Sequence, residues 1–362
     1  MDVISTFKKA FEFLYHGVIA GNPPHDFIQV KWNDVGNVTI SGVGGNIWLD
    51  VTVPCSDVLV FGGSNSYIIA RQQLKSVLRQ IKSTFGIYVD STSLETKAFY
   101  DNLNAVLDTA SEYPSWPEVK YGTSFTRLPN FAEGLSVHYA ASLRYHYSYF
   151  NHIDITQNID GFVEYVGTDR HRISVYTTNK SLLISNILIP TKIARFLHKQ
   201  RWVDLNQANC RLSDDGKYLF IGDGVTRILI KLGDSSFFPD YEKLFLDISD
   251  LRVFAINKKK LLNGLTTVKL PFTKNLIVTF DKQAILKSEG AESEAYLPCL
   301  VSPGLPVSFR VNYDYFHDAI KAVRGKNVRI LTNGEESKIL IVGDDAAQKN
   351  LIQPIAKLPI YI

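Results

Sequence analysis

The sequence predicts an α+β protein made of three repeated units, each with two helices and several antiparallel strands. One observation behind this prediction is a short apolar strand end, a turn residue and a helix, which occur together three times. The turn positions are Ala70, Pro190 and Asn312, at spacings of 120 and 122 residues. Segments between the helices alternate apolar and polar residues, which is typical of half-buried antiparallel strands.

A second set of helical patterns recurs at a constant spacing of its own. These patterns begin at Ile4, Asn130 and Ile256, and each start lies 126 residues after the one before. The first pattern, ISTFKKAFEFLYHGV, indicates an amphipathic helix rather than a signal peptide, because no basic segment precedes an apolar core. Three unrelated α+β domains of similar size are the alternative. The two sets of helices recur at similar spacings, however, which favours a repeat.

Six segments are predicted as strands from their alternation and from the Gly, Pro and Asn-Asp residues that bound them. They are 27–32, 37–43, 47–53, 276–280, 328–332 and 338–342.

An aromatic-proline pair closes the first and second units, as YPSWP at 113–117 and FFPDY at 237–241. We therefore expect three domains, at residues 1–121, 122–248 and 249–362.

Composition excludes several classes of protein. The chain is 45% hydrophobic and 21% charged, as expected of globular domains, and its net charge of +3 is too small to indicate a nucleic-acid binder by itself. Cys55, Cys210 and Cys299 are far apart and form no CxxC pair, so neither a disulfide framework nor a metal site is expected. No apolar run reaches the roughly 18 residues that cross a bilayer. These features predict a cytoplasmic protein without a cofactor, a metal or a membrane contact.

The second helix of each unit carries cationic residues at steps of three or four, which places them on one helical face. They are Arg71, Lys75, Arg79 and Lys82 in the first unit, Lys192, Arg195 and Lys199 in the second, and Lys321 and Arg324 in the third. A charged face is often only a solvated surface. The same sign at the equivalent helix of three repeats, however, suits sequence-independent contacts with phosphates, and no base-reading motif accompanies it.

The stretch GTDRHRISVY, at 167–176, places five polar residues inside a strand-like run. Asp169 and His171 would share a face of a strand, so an acid–base pair is one hypothesis. Catalysis also needs a nucleophile, a metal or an oxyanion site, and the sequence contains no GxSxG, HExxH, P-loop or dinucleotide-binding pattern. Local hydrogen bonding is the better interpretation, and the protein is predicted not to be an enzyme.

Two other clusters have a structural alternative. His138, His146 and His152 match no standard zinc spacing, so core or surface histidines are expected. The segment RYHYSYF, at 144–150, is either a strand or helix exit with one buried face, or it places Arg144 and Tyr149 at a rim that faces DNA.

The repeat and four segments together resemble the bacterial replicative sliding clamp, the beta subunit of DNA polymerase III. The segments are GTDRHRISVY, FFPDYEKLF, VNYDYFHDAIKAV and the tail NLIQPIAKL. The resemblance covers the whole chain in layout and is specific in the second and third units. The signal is strong because three features occur together: a T-D-x-H-R strand, F-P-D-Y about 70 residues later and a proline near the C-terminus.

The chain departs from the pattern of that family in several places. Arg170 stands where the family has Gly between the Asp and the His, and Gln353 opens a tail that is usually M-P-[MV]-R-L. The first unit lacks much of the family pattern, and residues 359–362 extend beyond the usual tail. These changes indicate a divergent clamp, of the kind that a phage or a mobile element could carry.

The resemblance implies that two three-domain chains associate head to tail into a homodimeric ring of six similar domains. Helices would line the hole, and strand edges at the ends of each chain would pair across the interface. Double-stranded DNA would pass through the hole, held loosely by the cationic helices.

The resemblance also implies a pocket between the second and third domains, where a DNA polymerase, a clamp loader and repair proteins insert a short extended peptide. The residues carried over to this pocket are Phe150, Thr168, Arg170, His171, Arg172, Ile173, Pro239, Lys243, Leu244, Asn312, Tyr315, Ile352, Gln353, Pro354 and Ile355. Arg170 is expected to narrow or recharge the mouth, and Gln353 replaces a flexible thioether.

The predicted function is therefore a DNA sliding clamp that encircles duplex DNA, tethers a polymerase as a processivity factor and recruits partners through the pocket. The alternative is a clamp-like interaction protein that binds clamp-binding peptides without encircling DNA. A protein of the second kind would not need positive helices in all three repeats, so the first prediction is favoured.

Overall fold

The computed structural model describes most of the chain. The described residues are 3–20, 26–33, 36–54, 59–62, 66–82, 84–90, 93, 95–101, 103–122, 126–143, 150–182, 186–234, 238–245, 250–301, 303–334 and 337–355. The helices are α1 (Val3–Ala20), α2 (Arg71–Gln80), α3 (Phe131–Gly134), α4 (Thr191–Lys199), α5 (Lys258–Val268) and α6 (Tyr313–Ala322). Within these ranges, short 3-10 helices span Leu135–Tyr139 and Glu242–Phe245.

Three four-stranded modules share one strand order. The first has the order β5 (Ser66–Ala70), β1 (Phe27–Trp32), β2 (Asn37–Gly44) and β3 (Ile47–Pro54). The second has β12 (Ile187–Pro190), β9 (His152–Gln157), β10 (Phe162–Thr168) and β11 (Arg172–Ser181). The third has β21 (Val307–Asn312), β17 (Asn275–Phe280), β18 (Ala284–Ser288) and β19 (Glu294–Leu297).

A three-stranded meander follows each module. The meanders are β6 (Phe85–Val89), β7 (Thr96–Tyr100) and β8 (Leu103–Val106); β13 (Asn209–Leu212), β14 (Tyr218–Gly222) and β15 (Thr226–Lys231); and β22 (Asn327–Thr332), β23 (Ile339–Val342) and β24 (Gln348–Ile352). Three strands remain: β4 (Leu59–Gly62) pairs in parallel with β6, and β16 (Arg252–Asn257) lies between β22 and β20 (Cys299–Val301). The α+β prediction is confirmed, and the six predicted strands match β1, β2, β3, β17, β22 and β23.

Each module ends at a predicted turn position. Ala70, Pro190 and Asn312 are the last residues of β5, β12 and β21, and a helix begins at the next residue in each case. The first helical N–H donates to a carbonyl just before the first strand of its module, and these three bonds are Arg71 to Asp26 at 2.7 Å, Thr191 to Asn151 at 2.8 Å and Tyr313 to Lys274 at 2.6 Å. The same junction therefore occurs three times.

Two sheets join a module of one repeat to the meander of the next. Strand β3 pairs with β15 in a seven-stranded sheet, and β11 pairs with β24 in a nine-stranded sheet, both antiparallel. The equivalent strands β19 and β8 each end a sheet among the described strands.

The chain accordingly forms two compact units. The first contains Met1–Ala132 and Lys192–Gly233, and the second contains Glu133–Thr191 and Asp234–Ile362. These units follow the sheets, which cross from one repeat to the next, so residues predicted as the second domain are divided between them. The two boundaries between the three predicted domains stay a prediction.

In the first unit, α1 packs on the seven-stranded sheet. Phe7, Phe11, Leu14 and Val18 are buried, which confirms the predicted amphipathic helix. The approach requires Gly42 in β2, because a Cβ atom there would lie 2.5 Å from the Val18 side chain.

The helix predicted to run from Asn130 is shorter than expected. It consists of α3 and the 3-10 helix that ends at Tyr139. This segment lies very close to β10, since a Cβ atom at Gly134 would be 2.3 Å from the Tyr165 ring and one at Gly167 would be 2.5 Å from the Val137 carbonyl. Packing against the sheet therefore overrides the helical pattern here.

Candidate peptide-binding site

The T-D-R-H-R stretch forms the turn between β10 and β11 in the second unit. Thr168 pairs with Ile173 across the hairpin, and the Asp169 N–H donates to the Arg172 carbonyl at 3.3 Å. Oδ1 of Asp169 accepts from the N–H groups of His171 and Arg172, both at 3.2 Å. Asp169 thus orders the turn through backbone groups, and its contact with His171 is to the N–H rather than to the imidazole.

Arg170 is the first central residue of this turn and has a φ of 80°, whereas His171 has a negative φ. A positive φ at the first central position alone is the pattern of a type II′ turn, which favours Gly there. A residue other than Gly in such a conformation stores about 1–3 kcal/mol of strain. The backbone conformation is therefore one that Gly fits best, and Arg170 is strained in it.

The side chain of Arg170 covers Phe150, one of the predicted pocket residues. Its guanidinium carbon lies 4.9 Å from the centroid of the Phe150 ring, within the range of a cation–π contact. Phe150 is 8% exposed and lies two residues before β9. The Arg170 N–H donates to the Thr168 hydroxyl at 3.3 Å, which ties the strained residue to the end of β10.

Arg172 fixes the hairpin to α6. Its guanidinium pairs with Asp169 at 3.0 Å and with Asp318 on α6 at 3.2 Å. It also lies 4.3 Å from the ring centroid of Tyr315 and 5.4 Å from that of Tyr139. Burial alone would raise the pKa of Asp318, but hydrogen bonds from His317 and Arg172 outweigh burial and lower it.

Backbone bonds attach the tail segment to the hairpin and to β21. Arg172 pairs with Ile352 in the sheet, and the Gln353 N–H then donates to the His171 carbonyl at 2.9 Å. The Ile355 N–H donates to the Arg310 carbonyl at 2.8 Å. Pro354 and Ile355 are half-buried, and Gln353 is exposed.

Tyr241 attaches the F-P-D-Y segment to the same sheet. Its hydroxyl donates to Glu164 on β10 at 2.7 Å, and its ring packs in a cluster with Val166 and Ile173. Burial, reinforced by the charge of Glu164, raises the pKa of Tyr241, so the phenol stays protonated as a donor. Glu164 also accepts from Thr177 at 2.8 Å and is buried.

The remaining predicted residues of this segment and of α6 have separate contacts. Pro239 is half-buried, and Lys243 forms an exposed ion pair with Asp240 at 2.8 Å. Leu244 is 42% exposed, which suits an apolar contact surface. Asn312 caps α6 by accepting from the Tyr315 N–H at 3.2 Å, and the Tyr315 ring lies 6.3 Å from that of His171.

Sequence analysis missed a buried polar network beneath the hairpin. Asn350 on β24 accepts from the hydroxyls of Tyr139 and Ser174, and its amide donates to the Ala319 carbonyl on α6 at 3.4 Å. Gln348 donates to Ser174 at 3.1 Å. Polar residues inside the apolar stretches around 174 and 350 were the available signal.

Most of the predicted DNA-facing side chains lie on or next to the expected helices with substantial exposure. Arg79, Lys82, Arg195, Lys199, Lys321 and Arg324 are exposed, and Lys75 and Lys192 are half-buried. Arg324 pairs with Glu133 at 3.7 Å, so one of these cations is already partly neutralised. Arg144 and Tyr149 lie outside the described residues.

Arg71 does not fit the DNA-facing assignment. Its side chain is 5% exposed, pairs with Asp26 at 3.0 Å and lies 5.2 Å from the ring centroid of Tyr15. Arg71 is the first residue of α2, where the side chain turns toward the module. In this position it is unavailable to a DNA phosphate.

Other site chemistries were searched within the described ranges. There, no group of three or more His, Cys, Asp or Glu side chains is arranged to hold a metal ion. Cys210 and Cys299 are free thiols, and Cys55 and His146 fall outside those ranges. No described helix combines the length and apolar character needed to span a membrane.

The chain has the fold of the bacterial replicative sliding clamps. Solved structures with this fold match the chain over nearly its full length, which confirms the resemblance seen in the motifs at the level of fold. Neither family models nor curated proteins match the sequence.

Three of the matching structures come from different bacteria. The DNA polymerase III beta subunit of Borrelia burgdorferi, in complex with a natural product, is 16% identical with a TM-score of 0.82, covering 99% of this chain and 98% of that chain. The Bacillus subtilis DNA polymerase sliding clamp is 16% identical with a TM-score of 0.80, covering 98% of both chains. The Helicobacter pylori beta clamp bound to a DNA ligase peptide is 15% identical with a TM-score of 0.78 and the same coverage.

Proposed function

We propose that this protein is a sliding clamp. Two copies close head to tail into a ring around duplex DNA, and the hairpin site binds a short peptide from a polymerase, a clamp loader or a repair protein. The protein makes and breaks no covalent bond in this function, because the ring acts by topology and by tethering.

The pairing rule of the sheets carries the proposal. Strand β3 at the edge of the first module pairs with β15, the last strand of the second meander. Strand β11 at the same edge of the second module pairs with β24, the last strand of the third meander. By the same rule, β19 of the third module should pair with the last strand of a first meander, β8. A second copy supplies that strand, and two such contacts close a six-repeat ring.

The two free edges have the side chains expected of such a contact. On β8, Leu103 is 57% and Val106 is 53% exposed, and on β19, Tyr296 is 56% exposed. Exposed apolar edge strands otherwise invite aggregation, so burial between copies would remove this liability.

Exposed cations on α2, α4 and α6 support binding of DNA through phosphates. Such contacts are sequence-independent and weaken as salt concentration rises. They would therefore let a closed ring slide, while topology keeps it on the duplex.

The hairpin site supports recruitment of an extended peptide. Half-buried Pro354, Ile355 and Tyr315 and exposed Leu244 provide apolar surface, and backbone groups at the tail give polar orientation. Binding of a DNA ligase peptide by the Helicobacter pylori clamp, which has the same fold, is consistent with this use.

Negative-stain electron microscopy and sedimentation of the purified protein test the ring. We expect a six-lobed ring with a central hole and the mass of a dimer. Leu103→Glu should convert dimers to monomers, whereas Val225→Glu, at a residue 51% exposed on neither edge strand, should not. Single particles at every concentration, with peptide binding retained, would favour a clamp-like binder that does not encircle DNA.

Binding to a duplex over a series of salt concentrations tests the DNA-facing helices. Changing Arg79, Arg195 and Lys321 to Glu should weaken binding and lower the slope of log K against log salt by about 3, because each phosphate contact contributes about 0.9. Lys282→Glu, at an exposed lysine between β17 and β18, is the control and should change neither quantity by a comparable amount. An unchanged slope in the triple variant would reject the assignment.

A further inference from the structure

We propose that the first unit contains a second peptide-binding site, which takes an acidic peptide with an aromatic or aliphatic anchor. The site is the face of the seven-stranded sheet opposite α1, and we call it the aromatic face after its residues Trp48, Tyr218 and Phe220. The proposed function uses the hairpin site alone, so this inference goes beyond it. The choice of a peptide as ligand rests on that function, because the aromatic face is the counterpart of the hairpin site in the repeat.

The backbone of the hairpin site is repeated where β2, β3 and β15 meet. The Lys231 N–H at the end of β15 donates to the Asn46 carbonyl in the turn between β2 and β3, at 2.9 Å. The Gln353 N–H after β24 donates to the His171 carbonyl in the turn between β10 and β11, also at 2.9 Å. The first unit therefore presents the same junction of a hairpin and a crossing strand as the second unit does.

Aromatic rings line this junction in the first unit. Trp48 lies two residues after its turn residue, the position that Ile173 has at the hairpin site, and its ring centroid is 6.1 Å from that of Tyr218. The Phe220 ring lies 6.0 Å from that of Tyr121. All four aromatic residues are half-buried, so each leaves surface for a partner to cover. Aromatic residues are enriched at the centres of protein interfaces.

The charge of the aromatic face complements an acidic ligand. Successive residues of a strand point to opposite faces, so the strand register defines which side chains share this face. Among the described strand residues of the sheet, the face carries the carboxylate of Asp50 and an excess of cations, which are Lys31, Arg211, Arg227 and Lys231.

Arg227 brings a cation next to the rings. Its side chain is 59% exposed, pairs with Asp50 at 3.7 Å and lies 4.6 Å from the ring centroid of Trp116. Burial raises the pKa of Tyr121, and the charges of Arg227 and Arg211 oppose this rise, so both cations act at the Tyr121 hydroxyl. A guanidinium has five N–H donors, so the pair with Asp50 leaves donors for a carboxylate of the peptide.

The angles between the rings favour a peptide over a single-stranded nucleic acid. Bases bind to such acids' partners by stacking on open, flat ring faces. The two ring pairs of this face instead meet edge to face, at interplanar angles of 62° and 63°. An angular surface of this kind suits a branched or aromatic side chain with an extended backbone beside it.

The positions of the tryptophans allow a test that isolates this site. All four tryptophans lie in the first unit: Trp48 and Trp116 at the aromatic face, and Trp32 and Trp202 with their rings on the α1 side. Fluorotryptophan is incorporated into the full chain, and replacement of each tryptophan by phenylalanine assigns the fluorine NMR signals. The peptide Gly-Asp-Leu-Phe-Asp-Gly should shift the Trp48 and Trp116 signals to saturation and leave the other two in place.

A second peptide and two variants test the role of charge. Gly-Lys-Leu-Phe-Lys-Gly should bind the aromatic face at least about tenfold more weakly than the Asp peptide at an ionic strength of about 0.05 M. Arg227→Gln should weaken binding of the Asp peptide about threefold to tenfold, because an exposed charge-assisted contact is lost. Arg201→Gln, at an exposed arginine after α4 in the same unit, is the matched control and should change binding by less than about twofold.

The outcomes separate this inference from the proposed function. Trp48 and Trp116 signals that stay in place at about 1 mM Asp peptide would reject the second site. Anisotropy of the labelled peptide reports binding to the whole chain, so a rise in anisotropy with those signals unmoved would reject the aromatic face and leave the hairpin site standing. Equal shifts with both peptides, or tighter binding of single-stranded oligo-dT to this face, would overturn the acidic peptide as its ligand.

Discussion

The strand–helix junctions of the first and third repeats have the same backbone path and different side chains. In the third repeat, Asn312 caps α6, and the buried Tyr313 donates its hydroxyl to the Leu265 carbonyl at 3.0 Å. In the first repeat, Ala70 offers no side-chain cap, and the buried residue is Arg71. Nε and Nη1 of Arg71 have no hydrogen-bond partner among the described residues.

This comparison shows that the repeated fold buries the first residue of each of these helices. The identity of that residue then determines how its burial affects stability. The first residue of α2, α4 and α6 is buried in each case, at 4%, 2% and 4% exposure, whether it is Arg71, Thr191 or Tyr313. The first junction therefore contains a buried charge whose stability depends on Asp26, whereas the third junction is satisfied by neutral groups.

The largest expected effect comes from reversing the charge of the first junction. Arg71→Glu places a second carboxylate beside Asp26 in a buried position and should lower the free energy of unfolding by about 3–5 kcal/mol. Urea unfolding followed by tryptophan fluorescence measures this. Arg79→Glu, an exposed change on the same helix, should stay within about 0.5 kcal/mol of wild type.

The same pair of positions tests the correction to the DNA-facing set. Arg71→Met preserves the apolar stem of the side chain and removes the charge, and it should leave duplex binding unchanged. Arg79→Met should weaken that binding. An equal loss for both variants would return Arg71 to the DNA-facing residues.

A buried carboxylate in the second unit extends the comparison from a cation to an anion. Asp154 on β9 is 2% exposed, its Oδ1 has no partner among the described residues, and Asn186 donates to Oδ2 at 3.5 Å. Burial raises the pKa of Asp154 to about 7. The folded state therefore keeps a proton that the unfolded chain releases near pH 4.

This pKa sets the direction of a stability change. The favourable contribution of protonated Asp154 is fully present below about pH 4 and is lost as pH rises through about 7, at roughly 1.4 kcal/mol per pH unit in that window. Asp154→Asn should remove this dependence, so the variant should gain stability over wild type as pH rises. Parallel pH profiles for the two proteins, measured by urea unfolding, would contradict the assignment.

The smallest expected effect concerns the caps. Asn312→Ala should destabilise the protein by about 1 kcal/mol, whereas Asn312→Ser should retain most of the capping. Ala70→Asn should stabilise by a similar amount, because Ala70 already has a non-helical cap conformation with a φ of −56° and a ψ of 118°. Thermal unfolding of the three variants measures these changes in stability.

Local patterns predicted the local structure of this chain well. Strand alternation located β1 and β17 to within a residue, and the turn positions at Ala70 and Asn312 were located without error, because these features depend on short-range chemistry. The pairing of β3 with β15 could not be read from the sequence, since neither strand carries a marker of its distant partner. The same limit explains why burial of Arg71 was missed: helical spacing defines a face but not what covers it.

The candidate site was also predicted from the sequence only in part. Motif resemblance selected the hairpin, the F-P-D-Y segment and the tail, which the structure brings onto one sheet through β11, β24 and Tyr241. It did not indicate that Asp169 orders backbone groups or that Asn350 accepts hydrogen bonds from Tyr139 and Ser174. Those roles depend on side-chain geometry that spacing alone does not encode.

The position of β24 in the nine-stranded sheet has a consequence for biosynthesis. This strand is the last described strand in chain order, yet it lies between β11 and β23 in the interior of the sheet. The ribosome would therefore release β9 to β11 long before the strand that completes their sheet, and pairing at such sequence distance is slow. We infer that nascent chains need protection from aggregation until β24 (Gln348–Ile352) has been synthesised, and that chains truncated before Gln348 would lack a finished hairpin site.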